Sequence, residues 1–321
     1  MIELEQYNRI NSSFKKKLIF HLGAEGGFYS EFNNMISAIL YCLKYKYKFI
    51  LYSKDANFAT KYGWNDYFLP FCEETNLFLH SIFNKRISKP ILSKNKKLLY
   101  KIYRYLNNNT YFTFDLWDNF YSKDFDNEFF DIPELNIKGD LRIASASIVE
   151  MIYKFNISTQ KKIDIKIKEI SLPDNFVSMQ IRRGDKNTEW TFLPIEAYFE
   201  TLTKKTISRN LFVLADDYLT ICEIKKKYLK WNVFSLTEPQ ERGYIHSDFI
   251  RLSKMDKEKQ IINLLSSIEI IRCSNLFVGT FTANTGLFIG MSMPFEKVIS
   301  IQKKNWLQSS IDDVIQFVTP D

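Results

Sequence analysis

From residue 176 onward the chain repeats one pattern, a short apolar run followed by a longer stretch with helical spacing. The runs are 176–181, 211–214, 231–234, 276–279 and 298–301. Strands this uniformly apolar are buried on both faces, and helices between them supply the covering layers of a parallel sheet. The segment 257–273 fits such a layer, because Ile261, Ile262, Leu264, Leu265, Ile268 and Ile271 form a broad apolar stripe at helical spacing. The second half therefore reads as a doubly wound α/β unit.

The first half opens in the same way. Residues 17–21 predict a buried strand, Gly23, Gly26 and Gly27 a loop, residues 30–46 a helix, and residues 49–52 a second strand. This βαβ opening again favours a parallel sheet. Residues 57–138 are aromatic and lysine-rich with few glycines, which predicts mostly helices and connections, with a turn at 107–109. A length of 321 residues with 45% hydrophobic content supports two domains rather than one. The expected division is 1–165, an α/β domain with a helical middle, and 166–321, a Rossmann-type domain. The fold class is α/β.

Composition narrows the function classes. No apolar run of membrane-spanning length occurs, and the start carries Glu3 and Glu5 without an apolar leader segment, so a cytoplasmic protein with at most peripheral membrane association is expected. Cys42, Cys72, Cys222 and Cys273 lie far apart without CxxC spacing and read as reduced core thiols. The net charge of +7 beside 28 Phe and 18 Tyr suits nucleic acid, an anionic membrane surface or a phosphorylated small molecule. No nucleic-acid-binding signature accompanies it, so nucleic acid is not an expected partner. Lysine runs at 15–17, 94–97 and 225–227 read as solvated helix faces.

The chemistry concentrates at the C-terminal ends of predicted strands, where open α/β sheets bind ligands. Arg182, Arg183, Asp185 and Lys186 end the first strand of the second half. A leaving diphosphate gains negative charge in the transition state, and fixed arginine forks stabilise it where a metal does not. Asp185 would hold a guanidinium, and Lys186 would add a mobile ammonium. Glu189, beside Trp190, is the candidate general base, its alternative being an ordinary loop glutamate. Asp216 and Asp217 follow the next strand and can bind sugar hydroxyls, orient basic groups or cap a helix. Read as a DxD-like pair they would hold a divalent cation, which the neighbouring arginines make redundant, so no metal is expected. Thr280, Thr282 and Asn284 precede an apolar helix and offer hydroxyls and helix N-terminal amides to a phosphate, or simply cap the helix. Gly26, Gly27 and Tyr29 open the first helix like a phosphate loop, without a full GxGxxG pattern. His21, His80 and His246 have no metal-ligand or triad spacing and read as structural.

Residues 180–186, Gln-Ile-Arg-Arg-Gly-Asp-Lys, resemble the HxRRxDK signature of the alpha-1,6-fucosyltransferases, of both the core-glycan and the rhizobial nodulation type. The resemblance continues, with a one-residue gap, through Thr188-Glu189 and 194–198, then through 215–217 and 277–282. It implies a GT-B-like fold with two Rossmann-type domains facing a cleft, the donor in the C-terminal one. It implies an inverting, metal-independent fucosyltransferase without cofactor, moving fucose from GDP-fucose to a glycan or lipid-linked surface-polysaccharide acceptor. Arg182 and Arg183 would serve the diphosphate, Glu189 would be the base and Tyr198 would lie in the donor site. Two positions depart from the pattern. The family's leading histidine is Gln180 here, and its guanine-reading helix aspartate is Ser267, with Glu269 two residues later.

Overall fold

The computed structural model describes residues 2–85, 94–116, 127–185 and 191–302. They form two compact units that divide between Lys154 and Phe155.

In the first unit, helix α1 (Leu4–Ser13) leads into β1 (Lys16–His21), α2 (Phe28–Tyr45) and β2 (Tyr47–Tyr52). Then come α3 (Leu79–Phe83), α4 (Lys94–Leu106) and β3 (Thr110–Phe112). The three strands form a parallel sheet in the order β2-β1-β3. A small antiparallel pair, β4 (Phe130–Ile132) with β5 (Ile137–Gly139), precedes α5 (Leu141–Ile152). Edge strand β2 does not offer a bare ladder to other chains. The Asn11 side chain bonds both backbone groups of Phe49, and the backbone around Glu74 pairs with Leu51. Helix α2 is buried on most of its surface, and Phe28, Phe32, Trp64, Phe68 and Tyr153 pack ring against ring over it.

The second unit begins with α6 (Ile157–Ile170) and carries β6 (Val177–Ile181), α7 (Ile195–Lys205), β7 (Asn210–Ala215), α8 (Tyr218–Lys227) and β8 (Asn232–Phe234). It continues with α9 (His246–Phe249), α10 (Lys254–Arg272), β9 (Phe277–Gly279), α11 (Asn284–Ser292) and β10 (Val298–Ser300). The sheet is parallel throughout, in the order β10-β9-β6-β7-β8. Val177, Met179 and Ile181 of β6 face α7 and α8 in one core cluster. The other face of β6 carries Ser178 and Gln180, and Ser178 bonds Ser274 at 2.7 Å. All five apolar runs expected as strands are strands.

Three expectations are corrected. The boundary expected at 165/166 falls inside α6, which packs along α10 and so belongs to the second unit. Helix α10, which touches α6, α11, β6 and β7, is buried only from Ile261 to Ile271, where the expected apolar stripe is widened by Ser266, Ser267 and Ile270; the two serines bond carbonyls of their own helix. Of the four cysteines only Cys42 is buried, while Cys222 and Cys273 are exposed, at the outer face of α8 and just beyond α10. Among the described residues no helix is long and apolar enough to cross a membrane.

Candidate functional site

Strands β6, β7 and β9 end side by side, and the residues that follow them meet. Arg182 is held from three directions. It donates to Asp185 Oδ1 at 2.6 Å, lies 3.1 Å from Asp216 Oδ2, and stacks its guanidinium over the Tyr244 ring at 4.8 Å. Asp216 also organises the backbone around it. Its carboxylate accepts from the N–H groups of Arg183 (2.7 Å), Gly184 (3.0 Å) and Tyr244 (3.1 Å). This fastens the strand-end loop to the 243–244 segment, and the fit is close. A Cβ on Gly184 would stand 2.1 Å from the Tyr244 carbonyl oxygen, and Gly243 adopts φ +95°. Asp185 completes the clasp by accepting from the His246 N–H at 3.2 Å.

Arg183 turns the other way. It donates to the Leu193 carbonyl at 3.0 Å and lies over the Phe192 ring. Tyr198, on the first turn of α7, is buried beside it. Burial pushes the phenol up to about 12, against the opposing pull of the Arg183 charge.

On the other flank the Thr280 and Thr282 hydroxyls bond each other at 2.8 Å. Helix α11 starts directly beyond them with Ala283 as N-cap, a residue whose side chain cannot satisfy the first-turn amides. Gly286 lets that turn press onto the Thr280 carbonyl, 2.0 Å from where a Cβ would be. Beneath it Gln180 is buried at 4% exposure, and among the described residues its Oε1 has no partner. A small cleft is walled by Arg182, Tyr198, Thr280 and Thr282 together with Thr191, Phe192, Leu193, Ala283 and Gln302. The two guanidiniums and the two carboxylates balance in charge. The described residues therefore supply fixed donors and helix amides rather than a net positive field.

No protein-family profile matches the chain. Over 149 residues it is 27% identical to an alpha-(1,6)-fucosyltransferase of Caenorhabditis elegans, a match covering 43% of this chain and 25% of the worm protein. The structure superposes on NodZ alpha-1,6-fucosyltransferase soaked with GDP-fucose with a TM-score of 0.53, at 10% identity, over 89% of this chain and 95% of NodZ. NodZ from Bradyrhizobium gives the same TM-score at 11% identity. The fold is that of NodZ. The GT-B-like α/β expectation is met in this sense, and the alpha-1,6-fucosyltransferases are what the chain resembles in both sequence and fold.

Not every residue singled out in the sequence joins this corner of the second unit. Lys186 and Glu189 lie outside the described residues. Asp217 caps α8, accepting from the Leu219 N–H at 3.1 Å. Asn284 is the first residue of α11, next to the cleft wall at Ala283. Glu269 pairs with Arg272 at 2.8 Å, and Ser267 bonds the Asn263 carbonyl of its own helix. Gly26, Gly27 and Tyr29 belong to the first unit. There the Glu31 carboxylate takes the Gly23 N–H and crowds Gly26, and the Tyr29 hydroxyl is buried against that of Tyr153 at 2.8 Å. The Gly23 amide thus closes on a carboxylate of the helix that follows.

The residues missed by sequence reasoning are Tyr244, Thr191, Phe192, Leu193 and Gln302. Only Gly243-Tyr244 carried a signal, a glycine inside an otherwise polar connection. Among the described residues no group of three or more His, Cys, Asp or Glu is arranged to hold a metal ion.

Proposed function

We propose that the chain is an inverting fucosyltransferase that takes GDP-fucose as donor and a glycan or lipid-linked saccharide as acceptor. The observation that carries this reading is Arg182, fixed between Asp185 and Asp216 at a parallel strand end, beside the Thr280–Thr282 hydroxyls and the start of α11. The NodZ fold and the similarity to the worm enzyme support the choice of sugar and nucleotide.

In the proposed reaction the acceptor oxygen bonds to the fucose anomeric carbon while the bond from that carbon to the diphosphate oxygen breaks. Glu189 takes the acceptor proton, and GDP departs with the bonding pair. Arg182 and the amides of α11 would stabilise the charge gathering on the leaving oxygens, and Lys186 would add an ammonium. Because both aspartates already hold Arg182 in place, the guanidinium needs no reorganisation when charge develops. The proposed location is cytoplasmic, with at most peripheral attachment at the inner face of a membrane.

Incubation with radiolabelled GDP-fucose and a lipid-linked saccharide pool, with and without EDTA, tests the reading. It predicts release of GDP and label transfer that EDTA leaves unchanged. Absence of both transfer and donor hydrolysis would leave a nucleotide- or glycan-binding module as the better account.

A further inference from the structure

The first unit carries a groove of about 710 Å3 at the C-terminal end of β2. Its walls include Lys54, Lys61, Tyr62, Asn65, Glu74 and Asn76. The loop that presents Lys61 and Tyr62 is held unusually firmly. The Asp66 carboxylate accepts from the N–H groups of Thr60 (2.7 Å), Lys61 (2.9 Å) and Tyr62 (2.9 Å). Gly63, at φ +70°, approaches Ser53 so closely that a Cβ would lie 2.2 Å from its carbonyl oxygen. The Ser53 hydroxyl accepts from the Trp64 N–H at 2.9 Å, and the Trp64 ring is fully buried.

Such bracing would bury an aromatic ring easily, as it does Trp64, Tyr67 and Phe68. Tyr62 instead stands 58% exposed, with the Lys61 ammonium 4.6 Å from its ring centroid. Across the groove the Glu74 carboxyl is fixed by the Asn65 amide at 2.8 Å and the Ser53 hydroxyl at 3.1 Å. Its backbone is anchored by the bridge to Leu51. Burial raises the Glu74 pKa, although these two hydrogen bonds oppose the shift. A preorganised ring, amide groups and a fixed carboxyl in one concavity match the apolar ring faces and vicinal hydroxyls of a sugar. Lys54 and Lys61, both in the groove's lining, add two ammonium groups that favour an anionic substituent.

We propose that this groove is a saccharide-binding subsite selecting sugars that carry a carboxylate or phosphate group, and that it holds the acceptor chain. Its role as acceptor subsite rests on the transferase reading; saccharide binding itself does not.

The test is calorimetric titration of the full chain, of Tyr62→Ala and of the double variant Lys54→Ala/Lys61→Ala. The probes are a glucuronic-acid-containing tetrasaccharide, chitotetraose as neutral reference, and GDP in a separate titration. The three altered side chains are exposed, so melting temperatures should match the parent. Tyr62→Ala should weaken both tetrasaccharides at least tenfold, the double lysine variant only the acidic one, and GDP affinity should be equal in all three proteins. No binding of either tetrasaccharide to the parent chain would overturn the proposal. So would acidic-sugar binding that survives Tyr62→Ala, since that is ionic adsorption. Sugar binding without GDP binding would strike the donor assignment and leave the groove standing; the reverse would strike the groove alone.

Discussion

Asp216 shows how one side chain can set the geometry of a site it does not have to line. Its two oxygens collect three backbone N–H groups and one edge of the Arg182 guanidinium, at 13% side-chain exposure. Asp216→Asn keeps the shape but offers a single acceptor oxygen and turns an amide toward donors. Charge-assisted bonds of this kind are worth about 1.5–3 kcal/mol each, so a loss of about 2 kcal/mol in chemical unfolding is expected, together with weaker GDP binding. Unchanged stability would show that the loop is held elsewhere. In the first unit His80 is fully buried, with Nδ1 3.0 Å from the Tyr103 hydroxyl. Burial, helped by nearby His21, depresses its pKa to about 4. An unfolded chain takes up a proton near pH 6.5 that the folded one refuses until about pH 4. Stability contributed by neutral His80 is therefore complete above about pH 6.5 and declines as pH falls toward 4. His80→Gln should flatten that part of the unfolding free energy against pH, and an unaltered slope would contradict the assignment. Asp55 acts in the same direction at lower pH. Burial pushes its carboxyl up, but the hydrogen bond and charge of His21, with Lys85, outweigh it and lower the pKa.

At the scale of elements, strand ends carried most of the legible information. Arg182, Arg183, Asp216, Thr280 and Thr282 were identifiable because apolar runs located the strands, and parallel sheets gather ligands at one edge. The packing partners were not legible. Tyr244 lies far along the chain from Arg182, and nothing in the sequence says that Gly184 and Gly243 touch. Strand β3 was also hidden, since Thr110-Tyr111-Phe112 follows an asparagine turn inside an aromatic tract that reads equally well as helix. Spacing also cannot show that the Glu31 carboxylate, one turn into the helix that follows Gly26 and Gly27, accepts from the Gly23 N–H. Gly286 gives an element-scale test. Replacing a helical glycine by alanine ordinarily gains about 0.8–1.0 kcal/mol. Here the new methyl would meet the Thr280 carbonyl oxygen at 2.0 Å, and forced overpacking costs about 1–3 kcal/mol. Gly286→Ala should therefore lower the melting temperature and loosen the Thr280–Thr282 corner; a stabilised variant would show that the corner has room.

At the scale of the whole molecule, the α/β class was readable from alternating periodicity, and two units from chain length and hydrophobic content. The position of the division was not. Helix α6 has few buried residues of its own, Thr159 and Ile163 among them, so its sequence gives no sign of which sheet it serves. The match with the worm enzyme spans a quarter of that protein's length, so the donor and the reaction remain proposals to be tested at the site. The central claim is that the C-terminal edge of the β10-β9-β6-β7-β8 sheet holds a nucleotide diphosphate through Arg182. The direct measurement is calorimetric titration of GDP and UDP into the full chain and into Arg182→Ala. The account predicts that GDP binds, that UDP binds more weakly, and that Arg182→Ala loses at least tenfold in GDP affinity with a cooperative unfolding transition retained. Equal GDP affinity in the folded variant, or no GDP binding to the parent chain, would contradict it.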